Sequence, residues 1–179
     1  MFLLQMVDTT VKKMKSQAAN LITICNLSFG GAAIMATLNG FYSYSVLFIF
    51  IAALLDRFDG MVARRLHQES ELGKQLDSMS DIISFGVAPA LLMYEVALFD
   101  FGTAGMGMTI LYIACGALRL ARFNVSVSNG YFIGLPITAA GTLLTLAFFS
   151  LNYFNPVFYM FLVPILAILM ISTFTLKKV

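Results

Sequence analysis

Long uncharged stretches dominate the chain. No Asp, Glu, Lys, Arg or His occurs from Ser16 to Leu55, a run of 40 residues, or from Phe123 to Leu176, a run of 54. A bilayer-spanning helix needs about 20 predominantly apolar residues, so each run holds two spans. Turn-forming residues divide them: Leu38-Asn39-Gly40 in the first run, and Leu151-Asn152-Tyr153-Phe154-Asn155-Pro156 in the second. Two further apolar segments, 73–98 and 103–122, lie between the runs. The pattern predicts an all-α integral membrane protein with six transmembrane helices, at about 21–38, 43–66, 73–98, 103–122, 134–151 and 156–176. Pro89 and Pro164 are expected to kink or break their spans. With no internal repeat, residues 1–179 read as a single membrane-embedded domain.

Ahead of the first span, Phe2, Leu3, Met6, Val7, Thr10 and Met14 recur at mixed helical spacing beside Lys12, Lys13 and Lys15. Such a segment suits an N-terminal interfacial helix on anionic lipid, with a plain lead-in as the alternative. It does not read as a secretory signal. Its first lysine follows the apolar residues, and no small-residue cleavage site comes after a suitable run.

Composition narrows the classes. The chain is 60% hydrophobic and 11% charged, against about 25% charged in a soluble domain. That argues against a cytosolic globular protein, a disordered chain and a nucleic-acid binder. Cys25 and Cys115 are too few and too far apart for a disulfide framework or a zinc site. With six spans both termini share one side, and all 11 basic residues fall on that side. The opposite loops, near 39–42, 99–102 and 152–155, carry none. By the positive-inside rule the termini face the cytoplasm, which predicts a multi-pass protein of the cell membrane.

Candidate chemistry sits where charge is most expensive. Asp56, Asp59, Asp77 and Asp81 fall inside spans two and three. Insertion costs about 2.5–3.5 kcal/mol per charged residue at a helix centre, so four retained aspartates imply compensation and a function. Asp56 and Asp59 are i,i+3, and Gly60 and Ala63 extend the same face. Gly73, Asp77 and Asp81 are spaced i,i+4,i+8. The short loop between makes the two helices antiparallel neighbours, so both acidic faces can converge. Hard oxygen ligands without His or Cys suit Mg²⁺, Mn²⁺ or Ca²⁺ rather than zinc, and paired ions serve phosphoryl transfer. Gly60, Ala63 and Gly73 permit close approach of a ligand, and Arg64 can take a phosphate. Spacing alone leaves a second reading open, a proton relay or cation pathway in a transporter.

The run Asp56-Arg57-Phe58-Asp59-Gly60-Met61-Val62-Ala63-Arg64, followed after eight residues by Gly73-Lys74-Gln75-Leu76-Asp77-Ser78-Met79-Ser80-Asp81, resembles a family signature. It matches the DxxDGxxAR(x8)GxxxDxxxD pattern of the CDP-alcohol phosphotransferases at every specified position. The resemblance implies a membrane enzyme, usually a homodimer, that displaces CMP from a CDP-linked alcohol. It implies two divalent cations, Mg²⁺ or Mn²⁺, on Asp56, Asp59, Asp77 and Asp81, with Asp81 as general base. It assigns the CDP-lipid to Asn26, Gly60, Ala63, Arg64, Gly73 and Asp77. Asn26 follows Cys25 where the family often has Pro.

Three further segments, Ser84–Ala90, Cys115–Asn124 and Gly134–Gly141, resemble the phosphatidylserine synthase branch. That implies CDP-diacylglycerol or an ether-lipid analogue as donor and L-serine as acceptor, with glycerol phosphate or inositol phosphate as alternatives. Arg119 and Arg122 are the only charges in span four. They can hold the serine carboxylate or anchor to lipid headgroups. Asn124 can bond the amino acid or end its helix. Ser84, one turn beyond Asp81, can reach the acceptor or bond its own backbone.

Overall fold

A computed structural model describes residues 2–66, 71–125, 131–172 and 175–177, with side chains described for 20–58, 60–61, 71–125 and 134–172. Six helical segments follow one another among the described residues: α1 (Phe2–Leu38), α2 (Tyr42–Leu66), α3 (Glu71–Phe101), α4 (Thr103–Val125), α5 (Ile137–Leu146) and α6 (Pro156–Ile171). A 3₁₀ turn, Ala147–Ser150, prolongs α5. Residues 20–38 of α1, all of α3 and all of α4 are long and apolar enough to cross a membrane. The last turns of α2 carry charged residues, and α5 with its 3₁₀ turn and α6 are shorter apolar helices.

The breaks fall where turn chemistry predicts. Gly40 adopts φ 77°, which closes α1 as Phe41 N–H donates to the Ala36 carbonyl at 2.8 Å. Asn155 caps α6, its Oδ1 accepting from the Val157 N–H at 3.0 Å, with Pro156 in the first turn. Two boundaries differ from expectation. The segment expected as a separate interfacial helix is the start of α1, which runs unbroken for 37 residues. No Gly or Pro interrupts it before the span begins. The last span, expected to reach 176, ends at Ile171. Beyond it β2 (Thr175–Lys177) pairs antiparallel with β1 (Tyr131–Ile133) from the α4–α5 connection.

Helix α3 is the axis of the bundle and touches all five other helices. Pro89 does not break it. The rod absorbs the proline through a π-helical stretch, Ile82–Val87, that widens the turn where the ring would otherwise clash. Pro89 has no N–H for the Phe85 carbonyl one turn earlier. The buried Tyr112 hydroxyl on α4 donates to that carbonyl instead, at 3.2 Å. Pro164 likewise sits inside an uninterrupted α6.

Small residues bring the helices close, as packing in lipid requires. A Cβ on Gly30 of α1 would lie 2.9 Å from the Ser84 Cα of α3. One on Gly141 of α5 would meet the Phe85 Cα at 2.8 Å. A core of Phe85, Met93, Tyr112, Leu144, Tyr159 and Met170 fills the space between α3, α4, α5 and α6. Ala33, Val46, Ile49, Ala88 and Leu92 form a second cluster where α1 and α2 meet α3.

Candidate active site

The acidic faces of α2 and α3 converge. Carboxylate oxygens of Asp56, Asp77 and Asp81 lie within 4.8 Å of one another. The Asp56 and Asp81 carboxyl groups are within hydrogen-bonding reach. Like charges at such separations repel by about 4 kcal/mol per pair at an effective dielectric of 20. Bridging protons or cations must offset that, and an all-oxygen donor set from two rigid helices fits hard divalent cations. The side chains of Asp59, Ala63 and Arg64, one and two turns further along α2, lie outside the described residues.

A cavity of about 1150 Å³ opens over this cluster, walled by α2, α3, α4 and α5. Its lining combines two chemistries. Phe50, Ala53 and Leu54 of α2 and Leu143 of α5 make an apolar flank. Asp56, Asp77 and Asp81 share the other part with Arg57, Lys74 and Arg119. Such a cavity suits an amphipathic ligand whose charged end reaches the carboxylates.

Gly60 and Asp77 line this cavity, whereas Gly73, one turn before Asp77, does not. Asn26 is fully buried on α1 and outside the lining, and neither end of its carboxamide has a hydrogen-bond partner among the described residues. Arg119 is 9% exposed and lines the cavity. Charge attraction links it to Asp81, and its Nε has no hydrogen-bond partner among the described residues. Asn124 also lines the cavity, its Nδ2 donating to Ser78 Oγ at 2.9 Å.

Two expected acceptor contacts point elsewhere. Ser84 is buried against α1, where its Oγ donates to the Asn26 carbonyl at 3.2 Å. The π-helical stretch begins at Ile82, so residues beyond Asp81 no longer follow the 3.6-residue register. Arg122 is exposed, and its Nη1 donates to the Ile171 carbonyl at 3.3 Å, tying α4 to the end of α6. The guanidinium satisfies a helix-terminal carbonyl there.

Lys74 and Ser78 emerge as partners the motif does not single out. Lys74 Nζ donates to the Asn124 carbonyl at 3.1 Å. Lys74, Asp77, Ser78 and Asp81 stand at i, i+3, i+4 and i+7, so one helical face carries all four. That spacing is visible in the sequence, but the partner on α4 is not.

Helices able to span a bilayer, a cavity lined by both apolar and charged residues and clustered carboxylates fit a membrane-embedded enzyme. The family comparison agrees: the model of the CDP-alcohol phosphatidyltransferases matches residues 16–176. The chain belongs to this family of phospholipid-synthesis transferases. It is 44% identical over 133 residues to a CDP-diacylglycerol–serine O-phosphatidyltransferase of Bacillus subtilis (strain 168), covering 74% of this chain and 75% of the relative. It is 35% identical over 163 residues to an archaetidylserine synthase of Methanothermobacter thermautotrophicus, covering 89% and 69%. A CDP-diacylglycerol–serine O-phosphatidyltransferase of Helicobacter pylori (strain ATCC 700392 / 26695) is 41% identical over 130 residues, covering 68% and 55%.

Proposed function

We propose that this chain transfers the phosphatidyl group of CDP-diacylglycerol, or of an ether-lipid analogue, to L-serine, with release of CMP. The observation that carries the reading is the convergence of Asp56, Asp77 and Asp81 beneath a cavity with an apolar flank. The names of the relatives, in both the ester- and ether-lipid series, support serine as acceptor. Asp56, Asp59, Asp77 and Asp81 would hold two divalent cations, Mg²⁺ or Mn²⁺. Bound there, the cations would stabilise charge on the attacking and leaving oxygens.

The chain's own residues do the rest. Gly60 and Asp77 hold the CDP end of the lipid from the cavity wall, the family signature adds Asn26, Ala63, Arg64 and Gly73 to that end, and the tails leave along Phe50, Leu54 and Leu143. Arg119 and Asn124 orient serine at the polar end of the cavity. Ser84 and Arg122 act one step removed, by locking α3 to α1 and α4 to α6. An Asp81 carboxylate oxygen accepts the serine hydroxyl proton. The serine oxygen bonds to the lipid-side phosphorus as the bond to the bridging oxygen breaks, and CMP leaves with that oxygen. Positioning and electrostatics supply most of the acceleration. The reaction takes place at the cytoplasmic face of the cell membrane, in a homodimer.

The test is CMP release by the purified protein in detergent, given CDP-diacylglycerol and Mn²⁺ or Mg²⁺, with and without L-serine. Release that requires both serine and metal is expected. Release only with glycerol phosphate or inositol phosphate would keep the family chemistry and overturn the acceptor.

A further inference from the structure

We propose that Lys74 and Ser78 of α3 clasp the end of α4 across the cavity, and that this clasp makes them positioning residues that commit the phosphatidyl group to serine rather than water. The inference rests on the serine-transfer reading. It concerns two positions that the acidic signature leaves unspecified.

Helices α3 and α4 diverge where the clasp lies. Helix α4 packs directly on the π-helical stretch Ile82–Val87 but hardly on Glu71–Asp81. The cavity opens there, with Asp77 and Asp81 on one wall and Arg119 and Asn124 on the other. Two side-chain bonds cross the gap. Lys74 Nζ donates to the Asn124 carbonyl at 3.1 Å, and Asn124 Nδ2 donates to Ser78 Oγ at 2.9 Å. Lys74 and Ser78 themselves line the cavity.

The chemistry of the clasp suits its place. Asn124 is the next-to-last residue of α4, so its carbonyl has no intrahelical donor. A helix C-terminus also carries roughly half a negative charge. Beside three carboxylates, that end would add to the repulsion met by an anionic lipid. The Lys74 ammonium satisfies the carbonyl and offsets the charge. On the other side of the same turn, Arg122 ties α4 to the Ile171 carbonyl of α6. The clasp is thus the α3 half of a two-sided anchor.

What the clasp sets is the distance between two working parts. Lys74 and Ser78 are one turn apart, and Asp77 and Asp81 each follow one of them by three residues on the same face. The clasp therefore holds the acidic face of α3, with the donor and its cations, at a fixed span from the α4 residues assigned to serine. If α4 swings away, serine loses its alignment while the donor keeps its own. Water is then the competing nucleophile. Asp81 accepts a proton from water, and the water oxygen bonds to the lipid-side phosphorus. The bond to the bridging oxygen breaks, CMP leaves with that oxygen, and the lipid product is phosphatidate.

The experiment supplies CDP-diacylglycerol and saturating L-serine, and measures CMP together with the ratio of phosphatidate to phosphatidylserine. The unmodified protein is compared with Lys74→Gln, Lys74→Arg and Ser78→Ala. Lys74→Gln and Ser78→Ala are each expected to slow phosphatidylserine formation about 10-fold and to raise the ratio about as much. The KM for the CDP-lipid should change little. Lys74→Arg keeps a cation and a donor, and should hold both quantities within about threefold. A loss of folded protein alone would slow both products equally and leave the ratio where it was.

An unchanged ratio in both Lys74→Gln and Ser78→Ala would overturn the clasp. So would a Lys74→Gln protein changed only in its KM for the CDP-lipid, since Lys74 would then serve the donor. CMP release with glycerol 3-phosphate in place of serine would overturn the serine reading, and the same ratio taken with that acceptor would decide the clasp. No release by the unmodified protein with any acceptor would overturn the transferase reading, and the clasp with it.

Discussion

Asp56, Asp77 and Asp81 are each affordable to a membrane helix only through what the other two allow. Three carboxylates within 4.8 Å attract cations as strongly as they repel one another. Asp56→Asn and Asp77→Asn each keep size and shape while removing one negative charge. Turnover is expected to fall at least about 100-fold in either, measured as CMP release. Binding of Mn²⁺ to the folded state should raise the thermal midpoint of the unmodified protein. That rise should shrink in Asp77→Asn, and chelation should abolish both the rise and turnover. The signature was fully legible at this scale, because i,i+3 and i,i+4 spacing puts side chains on one helical face wherever the helix is regular. Ser84 shows where that logic stops. Its spacing from Asp81 reads as one turn, but the π-helical stretch between them turns Ser84 towards Asn26.

At the scale of elements, α3 carries the most interdependent structure. It holds two of the three clustered aspartates, spans the bundle and accommodates Pro89 through a widened turn. The Phe85 carbonyl left over by that proline depends on the Tyr112 hydroxyl. Tyr112→Phe should destabilise the protein by about 1–3 kcal/mol, the cost of a buried carbonyl left without its donor. Thermal unfolding in detergent measures it. Gly30→Val should be at least as damaging, because it pushes α1 off the Ser84 backbone of α3. Spans and their breaks were readable from uncharged runs and turn residues. The π turns were not, since the apolar pattern continues through them unchanged.

At the scale of the whole molecule, distant parts of the chain meet beside the cavity. Arg122 of α4 reaches the Ile171 carbonyl of α6, and Leu135 N–H donates to the Leu169 carbonyl at 3.0 Å. Gly134, at φ 71°, passes so close to α6 that a Cβ would lie 2.6 Å from the Met170 carbonyl oxygen. Pro136 and the start of α5 follow directly, so the end of α6 sets the position of that cavity wall. Gly134→Ala should therefore cost about 1–2 kcal/mol from its left-handed backbone alone, and more from the clash. It should also raise the serine KM, which steady-state kinetics on the folded fraction would report. In sealed vesicles, serine should support turnover only from the side bearing the termini.

Local pattern determined the membrane class, the approximate spans and the acidic signature. Each depends on solvent preference or on side chains within two helical turns, and both are written in the order of residues. Only the tertiary structure decided which polar groups face the cavity. Arg119 and Arg122 have the same residue type and lie three positions apart, yet one lines the cavity and the other secures the end of α6. Their difference is set by what the neighbouring helices present: the acidic face of α3 on one side and an open helix end on the other. Contacts between segments far apart in the chain make that choice, and no local periodicity encodes it.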